Sequence, residues 1–340
     1  MERIRFGKSG LLVSRIAFGG IPIMRLSKND AVRVVRECLD MGVNFIDTAN
    51  AYLDSEEKIG AAIAGRKREE LVIASKSGAD DKKTFTAHLD NCLKMLGTDY
   101  VDIYQHHNIS SREKQEAVFG PNGAFEGMME AVKAGKVRFP GFSSHNVPTA
   151  LNIMKTEHFF SVQLPYNFID TEAEREAIPL ARKLDMGFIA MKPLGGGLLD
   201  NAQLAFRFLG ACEGIIPDPG IEKSAEMREI IAVITENNPL TPEDFARIEA
   251  FRAELGASWC HRCDYCQPCP QDIGISLVLG LKSSIKRMPV ARAVSMTSES
   301  ITRARTCIEC HACESRCPYH LRIPELLKES VAWWDANVRV

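Results

Sequence analysis

Apolar positions along the first two thirds of the chain follow two rhythms in turn. Short runs of β-branched and aromatic residues recur about every 30 residues, and each is followed by a stretch whose apolar side chains fall three and four apart. The short runs predict strands over residues 15–18, 44–47, 71–75, 101–106, 138–142, 161–164, 187–191 and 214–217. The stretches between them carry helix start and stop signals. Ser27 stands three residues before Asp30 in a capping-box arrangement, and Ala31, Val34, Val35, Cys38 and Leu39 then form one apolar face. Ser224 opens another helix, with Met227, Ile230, Ile231 and Ile234 on its face. Thr241-Pro242-Glu243-Asp244 combines a cap with proline in the first turn, and Gly42, Gly97 and Gly135 stand where helices stop.

Eight strand–helix units within about 225 residues predict an α/β fold built as a closed (β/α)8 TIM barrel. A doubly wound open sheet is the alternative that the pattern leaves. Residues 4–6 and 11–13, joined by Lys8-Ser9-Gly10, read as a hairpin outside the repeat, suited to closing the bottom of a barrel.

The 340 residues are 45% hydrophobic and 25% charged, ordinary for a globular chain with one large and one small domain. A formal net charge of −2 gives no drive towards nucleic acid, and no apolar run reaches the roughly 18 residues of a membrane span. Without an export signal at Met1, the eleven cysteines point to a reducing cytoplasm.

In a barrel, chemistry gathers where strands end. The expected strand ends here are polar: Asp47 with Tyr52 beyond it, Ser75-Lys76, His106-His107-Asn108, Ser143-Ser144-His145, and Gln163 leading to Tyr166-Asn167. A free tyrosine is a poor acid at neutral pH, but a buried ammonium beside it stabilises the phenolate, and an aspartate keeps the ammonium charged. An Asp, a Lys, a Tyr and a His on one rim therefore make a proton-transfer kit. His106, of opposite parity to His107, is expected to face away from it, into packing or to the surface.

The stretches from Gly42 through Asp47 to Tyr52, from Tyr100 to His107, and from Gly135 to Ser144 closely resemble the aldo-keto reductases. The resemblance spans roughly residues 1–235. It implies a (β/α)8 barrel that reduces a carbonyl, or oxidises the alcohol, with NADPH or NADH, and a catalytic set of Asp47, Tyr52, Lys76 and His107. It also implies that Ser143, Ser144 and Gln163 hold the nicotinamide carboxamide; most members carry Asn where this chain has Ser144. After the seventh strand, Lys192 and Gly195 are expected to approach the pyrophosphate. The helix opening near Ser224 is expected to meet a phosphate, with Lys223 and Arg228 as cations and Glu222 and Glu226 as opposing acids. The choice between NADH and NADPH stays open on these residues.

Eight cysteines fall in two ordered runs: Cys260, Cys263, Cys266 and Cys269 before Pro270, and Cys307, Cys310, Cys313 and Cys317 before Pro318. The second run has the bacterial ferredoxin spacing; the first is one residue shorter before its last cysteine. Paired CxxC hooks also make zinc sites, and disulfides need an oxidising compartment, so iron–sulfur ligation is the leading reading. The resemblance extends to the aldo-keto reductase subgroup with a C-terminal ferredoxin-like extension, which shares the shorter first run. Two [4Fe–4S] clusters are expected. Because the fourth cysteine of each run crosses to the other cluster in two-cluster ferredoxins, the sets are Cys260, Cys263, Cys266 with Cys317, and Cys307, Cys310, Cys313 with Cys269. Cys38, Cys92 and Cys212 stand alone and read as buried small hydrophobes.

The expected organisation is a barrel over residues 1–255, a small α-helical ferredoxin-like iron–sulfur domain over 256–330, and an apolar tail over 331–340. Trp259 is expected to pack against a cluster, and residues 275–281 to form one apolar helix. Lys282, Lys286, Arg287, Arg292, Arg303 and Arg305 form a basic stretch, either a solvated face or a dock for an acidic ferredoxin- or flavodoxin-type partner. A nicotinamide moves hydride and a cluster moves single electrons, with no flavin signature between them. Two functions follow: a carbonyl reductase with an appended iron–sulfur module, or an electron-transfer protein that feeds the barrel without nicotinamide turnover.

Overall fold

A computed structural model of the chain describes residues 1–256 and 258–338. Residue 257 of the expected cysteine domain and residues 339–340 of the expected tail lie outside the described residues. The chain forms two compact units, Met1–Gly195 with Leu199–Leu240, and Thr241–Val340 with Gly196–Leu198.

In the first unit, β1 (Arg3–Phe6) and β2 (Leu11–Ser14) make an antiparallel hairpin. Eight parallel strands follow in sequence order: β3 (Ala17–Gly19), β4 (Phe45–Asp47), β5 (Val72–Ser77), β6 (Val101–His106), β7 (Val137–Ser143), β8 (Ser161–Pro165), β9 (Gly187–Met191) and β10 (Ile215–Asp218). A parallel bridge between Gly19 and Gly220 joins the last strand to the first. There the Gly19 amide donates to the Pro219 carbonyl at 2.9 Å and the Ile221 amide to the Gly19 carbonyl at 3.1 Å. The sheet therefore closes as a (β/α)8 barrel, and the open-sheet alternative falls.

The two ends of the barrel differ in chemistry. At the bottom, hairpin residues Phe6, Leu11 and Val13 plug the interior against Phe45, Val72, Ile103 and Ile216, with the Phe6 and Phe45 rings edge to face at 5.4 Å. Asp102, fully buried near the start of β6, accepts from Arg68 Nη2 at 2.8 Å, Arg138 Nη1 at 2.6 Å and the Ile73 amide at 3.0 Å. That carboxylate ties β5, β6 and β7 together and is satisfied by charged donors. The helices cover the outside as their apolar faces require. Helix Lys28–Asp40 is capped by Ser27, whose hydroxyl accepts from the Asp30 amide at 3.1 Å, and buries Ala31, Val34, Val35, Cys38 and Leu39.

The second unit is helical: Pro242–Leu255, Ile275–Leu279, Leu281–Arg287, Val290–Ala304, Ala312–Arg316 and Ile323–Asn337. Its core joins Ile273, Ile275, Val278, Leu281, Ile301, Leu321, Leu327 and Trp334. Three expectations change here. Residues 275–281 are not one helix but break at Gly280, because the Arg262 guanidinium lies where a Cβ would sit and Arg262 Nη2 donates to the Gly280 carbonyl at 2.7 Å. Residues 331–337 are no separate tail; they continue the last helix and bury Trp334. The basic stretch is largely spoken for: Arg303 pairs with Glu299 and Asp272, Arg305 with Asp335, and Lys282 lies over the Trp333 ring. Helix Pro242–Leu255, opened by the Thr241–Asp244 capping box, groups with this unit rather than with the barrel. Among the described residues no helix is long and apolar enough to cross a membrane.

His106 packs outward as strand parity predicts, among Phe85, Phe125 and Phe159, with neither ring nitrogen hydrogen-bonded. Burial, helped by the Lys114 cation, pushes its pKa down to about 3. The unfolded chain takes up a proton near the ordinary value of about 6.5, whereas the folded chain does not, so folding stability falls as pH drops from there towards 3. We expect the opening free energy of β6 to drop by about 1.4 kcal/mol more, between pH 7.5 and 5.5, in the wild type than in His106→Phe. Amide hydrogen exchange of β6 at both pH values checks it, and equal pH dependence in the two proteins defeats the account.

Candidate active site

Strand parity turns one polar residue from each of five strands into the top of the barrel interior. Asp47 ends β4, Lys76 lies near the end of β5, Gln105 on β6, Gln163 on β8 and Asp218 at the end of β10. All are buried. An apolar plug at one end and a polar layer at the other give the barrel its direction.

Lys76 is the centre of this layer. Its ammonium binds Asp47 Oδ2 and donates to the Thr48 carbonyl at 2.8 Å. Burial works against its charge, but Asp47, Tyr52 and Asp218 outweigh that, and its pKa lies above the ordinary lysine value. Nζ stands 5.4 Å from the centre of the Tyr52 ring. Tyr52 sits on the turn after β4, half-buried, where its amide donates to the Ala49 carbonyl at 2.9 Å. His107, just past β6, meets the Tyr52 ring edge-on at 6.0 Å. Burial first, then the Lys76 and Lys114 cations, push the His107 imidazole down to about 3, so it is neutral at neutral pH. The structure thus gathers all four residues of the expected catalytic set on one wall.

Asp218 was not foreseen. The expected last strand stopped at Pro217, one residue short, which left Asp218 to the loop. Its inward parity with Ile216 was the available signal. It accepts from Gln163 Nε2 at 2.9 Å and faces Asp47. Burial and the Asp47 charge drive its pKa well above the carboxylate range, against the pull of Lys76. Two unit negative charges about 4 Å apart repel by about 4 kcal/mol even at an effective dielectric of 20, which adds to burial in favouring a proton on Asp218.

Ser143 and Gln163 are register partners on β7 and β8, and the Ser144 amide donates to the Gln163 carbonyl at 3.0 Å. The serine hydroxyls turn to loop backbone, that of Ser143 after β6 and that of Ser144 after β7. Ser143 Oγ accepts from the Asn108 amide at 2.9 Å, and Ser144 Oγ bonds the Asn146 amide and carbonyl at 3.0 Å. Gln163 Oε1 stays buried without a donor, which fits the amide N–H of a carboxamide. Lys192 reaches His145, Nζ to Nδ1 at 3.1 Å, and its carbonyl accepts from Asn167 Nδ2 at 3.0 Å. Gly195 follows with φ +57°, and its amide donates to the Lys192 carbonyl at 2.8 Å. Lys223 and Arg228 are exposed at the start of helix Ser224–Glu236. The donors expected for a phosphate there are occupied: Glu226 Oε2 accepts from the amides of Glu222 and Lys223 at 2.9 and 3.0 Å, and Glu222 pairs with Arg25.

In the second unit the cysteines gather in two sets. Cys260, Cys263, Cys266 and Cys317 ring one cavity, which Ile275, Leu279, Leu321 and Ile323 also line. Cys269, Cys307, Cys310 and Cys313 ring another with Ile273, Ile308, Pro324 and Leu327. All eight are free thiols. Four thiols round each cavity are a donor set that fits an iron–sulfur cluster. Trp259 is buried but does not line the cavity. It meets His261 edge-on at 6.4 Å, and His261 stacks at 3.5 Å on Tyr319, which does. Of the lone cysteines, Cys38 and Cys92 are buried as expected, whereas Cys212 is half-buried, with its sulfur 3.5 Å from Arg182 Nη2.

Comparison with known proteins agrees with this geometry. The model of the aldo/keto reductase family matches residues 15–205, and that of a 4Fe-4S dicluster domain matches residues 258–322. The chain is 33% identical over 233 residues to the uncharacterized oxidoreductase YrpG of Bacillus subtilis (strain 168), covering 60% of this chain and 70% of YrpG. It is 29% identical over 217 residues to the aldo-keto reductase YhdN of the same organism, 58% of this chain and 64% of YhdN, less than two thirds of that protein's length. Among solved structures, aldo-keto reductase AKR11C1 from Bacillus halodurans in its holo form gives a TM-score of 0.63 at 23% identity, covering 74% of this chain and 96% of that one. An aldo/keto reductase from Klebsiella pneumoniae in complex with NADP and acetate gives 0.61 at 24%, over 74% and 95%. At these identities the structures speak for the fold alone. With the barrel and the cysteine module both matched and in the same order, the chain belongs to the aldo/keto reductase family, as an oxidoreductase with a C-terminal 4Fe-4S domain.

Proposed function

We propose that the barrel reduces the carbonyl of a small molecule with a nicotinamide cofactor, and reverses the reaction on the alcohol. The observation that supports it most is the Lys76 ammonium, bound to Asp47 and facing Tyr52, with neutral His107 edge-on to the same ring. A bound nicotinamide would supply hydride to the carbonyl carbon. The chain's own groups handle the proton. The Tyr52 hydroxyl donates to the carbonyl oxygen, and Lys76 stabilises the phenolate that remains. Asp47 keeps Lys76 charged and aimed. His107, uncharged, offers a ring N–H to the same oxygen without competing as an acid. The residues proposed to hold the cofactor are Ser143, Ser144 and Gln163 at the carboxamide, with Lys192 and Gly195 nearer the phosphates.

The domain division that serves this function is the barrel and, after it, the cysteine unit with its two [4Fe–4S] clusters. Cys260, Cys263, Cys266 and Cys317 would hold one, and Cys269, Cys307, Cys310 and Cys313 the other. Bound clusters would move single electrons. Cys310 is exposed, and Ile308 beside it is 61% exposed, which suits exchange with a ferredoxin- or flavodoxin-type partner. Cysteines kept for cluster ligation suit a reducing cytoplasm.

Tyr52→Phe removes only the hydroxyl. Single-turnover measurement of the hydride step should find it slowed by at least ~10²-fold, with nicotinamide affinity retained. A rate near that of the wild type would assign the proton to another group.

Glu226 and Glu222 line the helix start where an extra phosphate would lie. Titration should show NADH binding at least ~10-fold tighter than NADPH, and Glu226→Gln should narrow the gap. Tighter binding of NADPH by the wild type defeats this preference.

Protein purified without oxygen should contain about eight irons and about eight acid-labile sulfides per chain. Four irons would leave one of the two cysteine rings without a cluster, and zinc in their place would overturn the iron–sulfur reading.

A further inference from the structure

Three charged side chains meet in the polar layer, and the proposed reduction uses only two. Asp47 and Lys76 are each 2% exposed and Asp218 is 9% exposed. A count of hydrogen bonds among them does not close. Lys76 serves Asp47 Oδ2 and the Thr48 carbonyl. Gln163 Nε2 serves Asp218 Oδ2. Asp47 Oδ1 and Asp218 Oδ1 are left buried without a donor. A buried carboxylate oxygen with no donor is costly and calls for an explanation.

The surroundings of Asp218 offer little to supply one. From β3, Gly19 packs against its Oδ1 and brings no side chain; from the closing turn comes the Pro219 carbonyl, an acceptor. From β8, Gln163 has its Nε2 already engaged. From β4 and β5 come Asp47 and Lys76, the charged groups that face Asp218, with Tyr52 reached through Lys76. One proton between the two carboxyl groups satisfies both orphan oxygens and leaves one negative charge against one ammonium.

We propose that at neutral pH Asp218 is a protonated acid that donates to Asp47 Oδ1, and that it acts as a positioning residue by fixing the Gln163 amide with Oε1 free for the nicotinamide carboxamide. Burial and the neighbouring Asp47 charge both favour the proton on Asp218. The second half rests on the nicotinamide reading above; the first does not. An amide has two similar ends, and without an acceptor for Nε2 nothing among these contacts decides which end faces the pocket. Asparagine mimics the protonated acid here: its Nδ2 replaces the O–H towards Asp47 and its Oδ1 the acceptor for Gln163. Leucine replaces neither.

The test uses the full chain with its clusters. The infrared difference spectrum at neutral pH, wild type minus Asp218→Asn, should contain the carbonyl stretch of a protonated carboxylic acid, shifted in D2O. Its absence would overturn the shared proton. NADH affinity, read by fluorescence titration, should fall about tenfold in Asp218→Leu, about what one hydrogen bond contributes, and return to within about threefold of the wild type in Asp218→Asn. Should the leucine variant not fold, Asp218→Ala removes the same acceptor without added bulk and carries the same expectation. Equal affinity in all the proteins would overturn the positioning role. A wild type that binds no nicotinamide would overturn that role together with the reductase reading, while the infrared band would still decide the proton.

Discussion

An ammonium held 2% exposed inside a barrel is the constraint around which the upper half of this protein is arranged. Burying a lone charge is prohibitive, and removing one member of a buried pair costs about 3–5 kcal/mol. Lys76 is therefore kept only where a carboxylate meets it on the same layer, and β4 ends at that height in Asp47. A second carboxylate, Asp218, reaches the layer from the closing strand. The result is a site whose charges are nearly balanced yet not fully bonded. That residue of unmet hydrogen bonding separates it from an ordinary buried ion pair.

The opposite end of the same barrel shows the contrast. Asp102 is as buried as Asp47, but two arginines and a backbone amide close round it and leave it nothing to do except hold strands together. Below the polar layer the hairpin plug is apolar. One fold thus uses buried carboxylates in two ways, and the difference lies in whether the surrounding donors are sufficient. His106 and His107 show the same logic on neighbouring positions. One faces the phenylalanine layer and is silent; the other faces the site beside Tyr52.

In the second unit the arrangement rests on shape. Each run bends through consecutive CxxC steps, which sets three thiols round one cavity, and its last cysteine is carried to the other. The walls are apolar side chains of the unit's own core, so the cysteine rings and the packing that holds them are one structure. The left-handed residues Arg262, Asp264, Glu309 and His311 between the cysteines are what such tight bends require of the backbone.

Much of this was legible in the chain because it is written in short-range terms. The period of the strands and helices, the Ser27 and Thr241 caps, the opposite parities of His106 and His107 and the CxxC steps all depend on residues within a few positions of one another, and local sterics and alternation read them directly. The barrel topology followed from counting units, and the four-residue site from the polar strand ends of one rim together with the family resemblance. What needed the tertiary structure was long-range. Whether Asp218 belonged to a strand or a loop depended on the register that pairs it with Met191 of β9. Whether Gly280 breaks a helix depended on Arg262 arriving from another segment. Whether Glu222 is left to oppose a phosphate or is already paired depended on Arg25, some two hundred residues earlier. In each case the sequence supplied the group, but its bonding was decided by a partner brought close only when the chain folds, and hydrogen bonds and charges act over ångströms of space rather than positions along a chain.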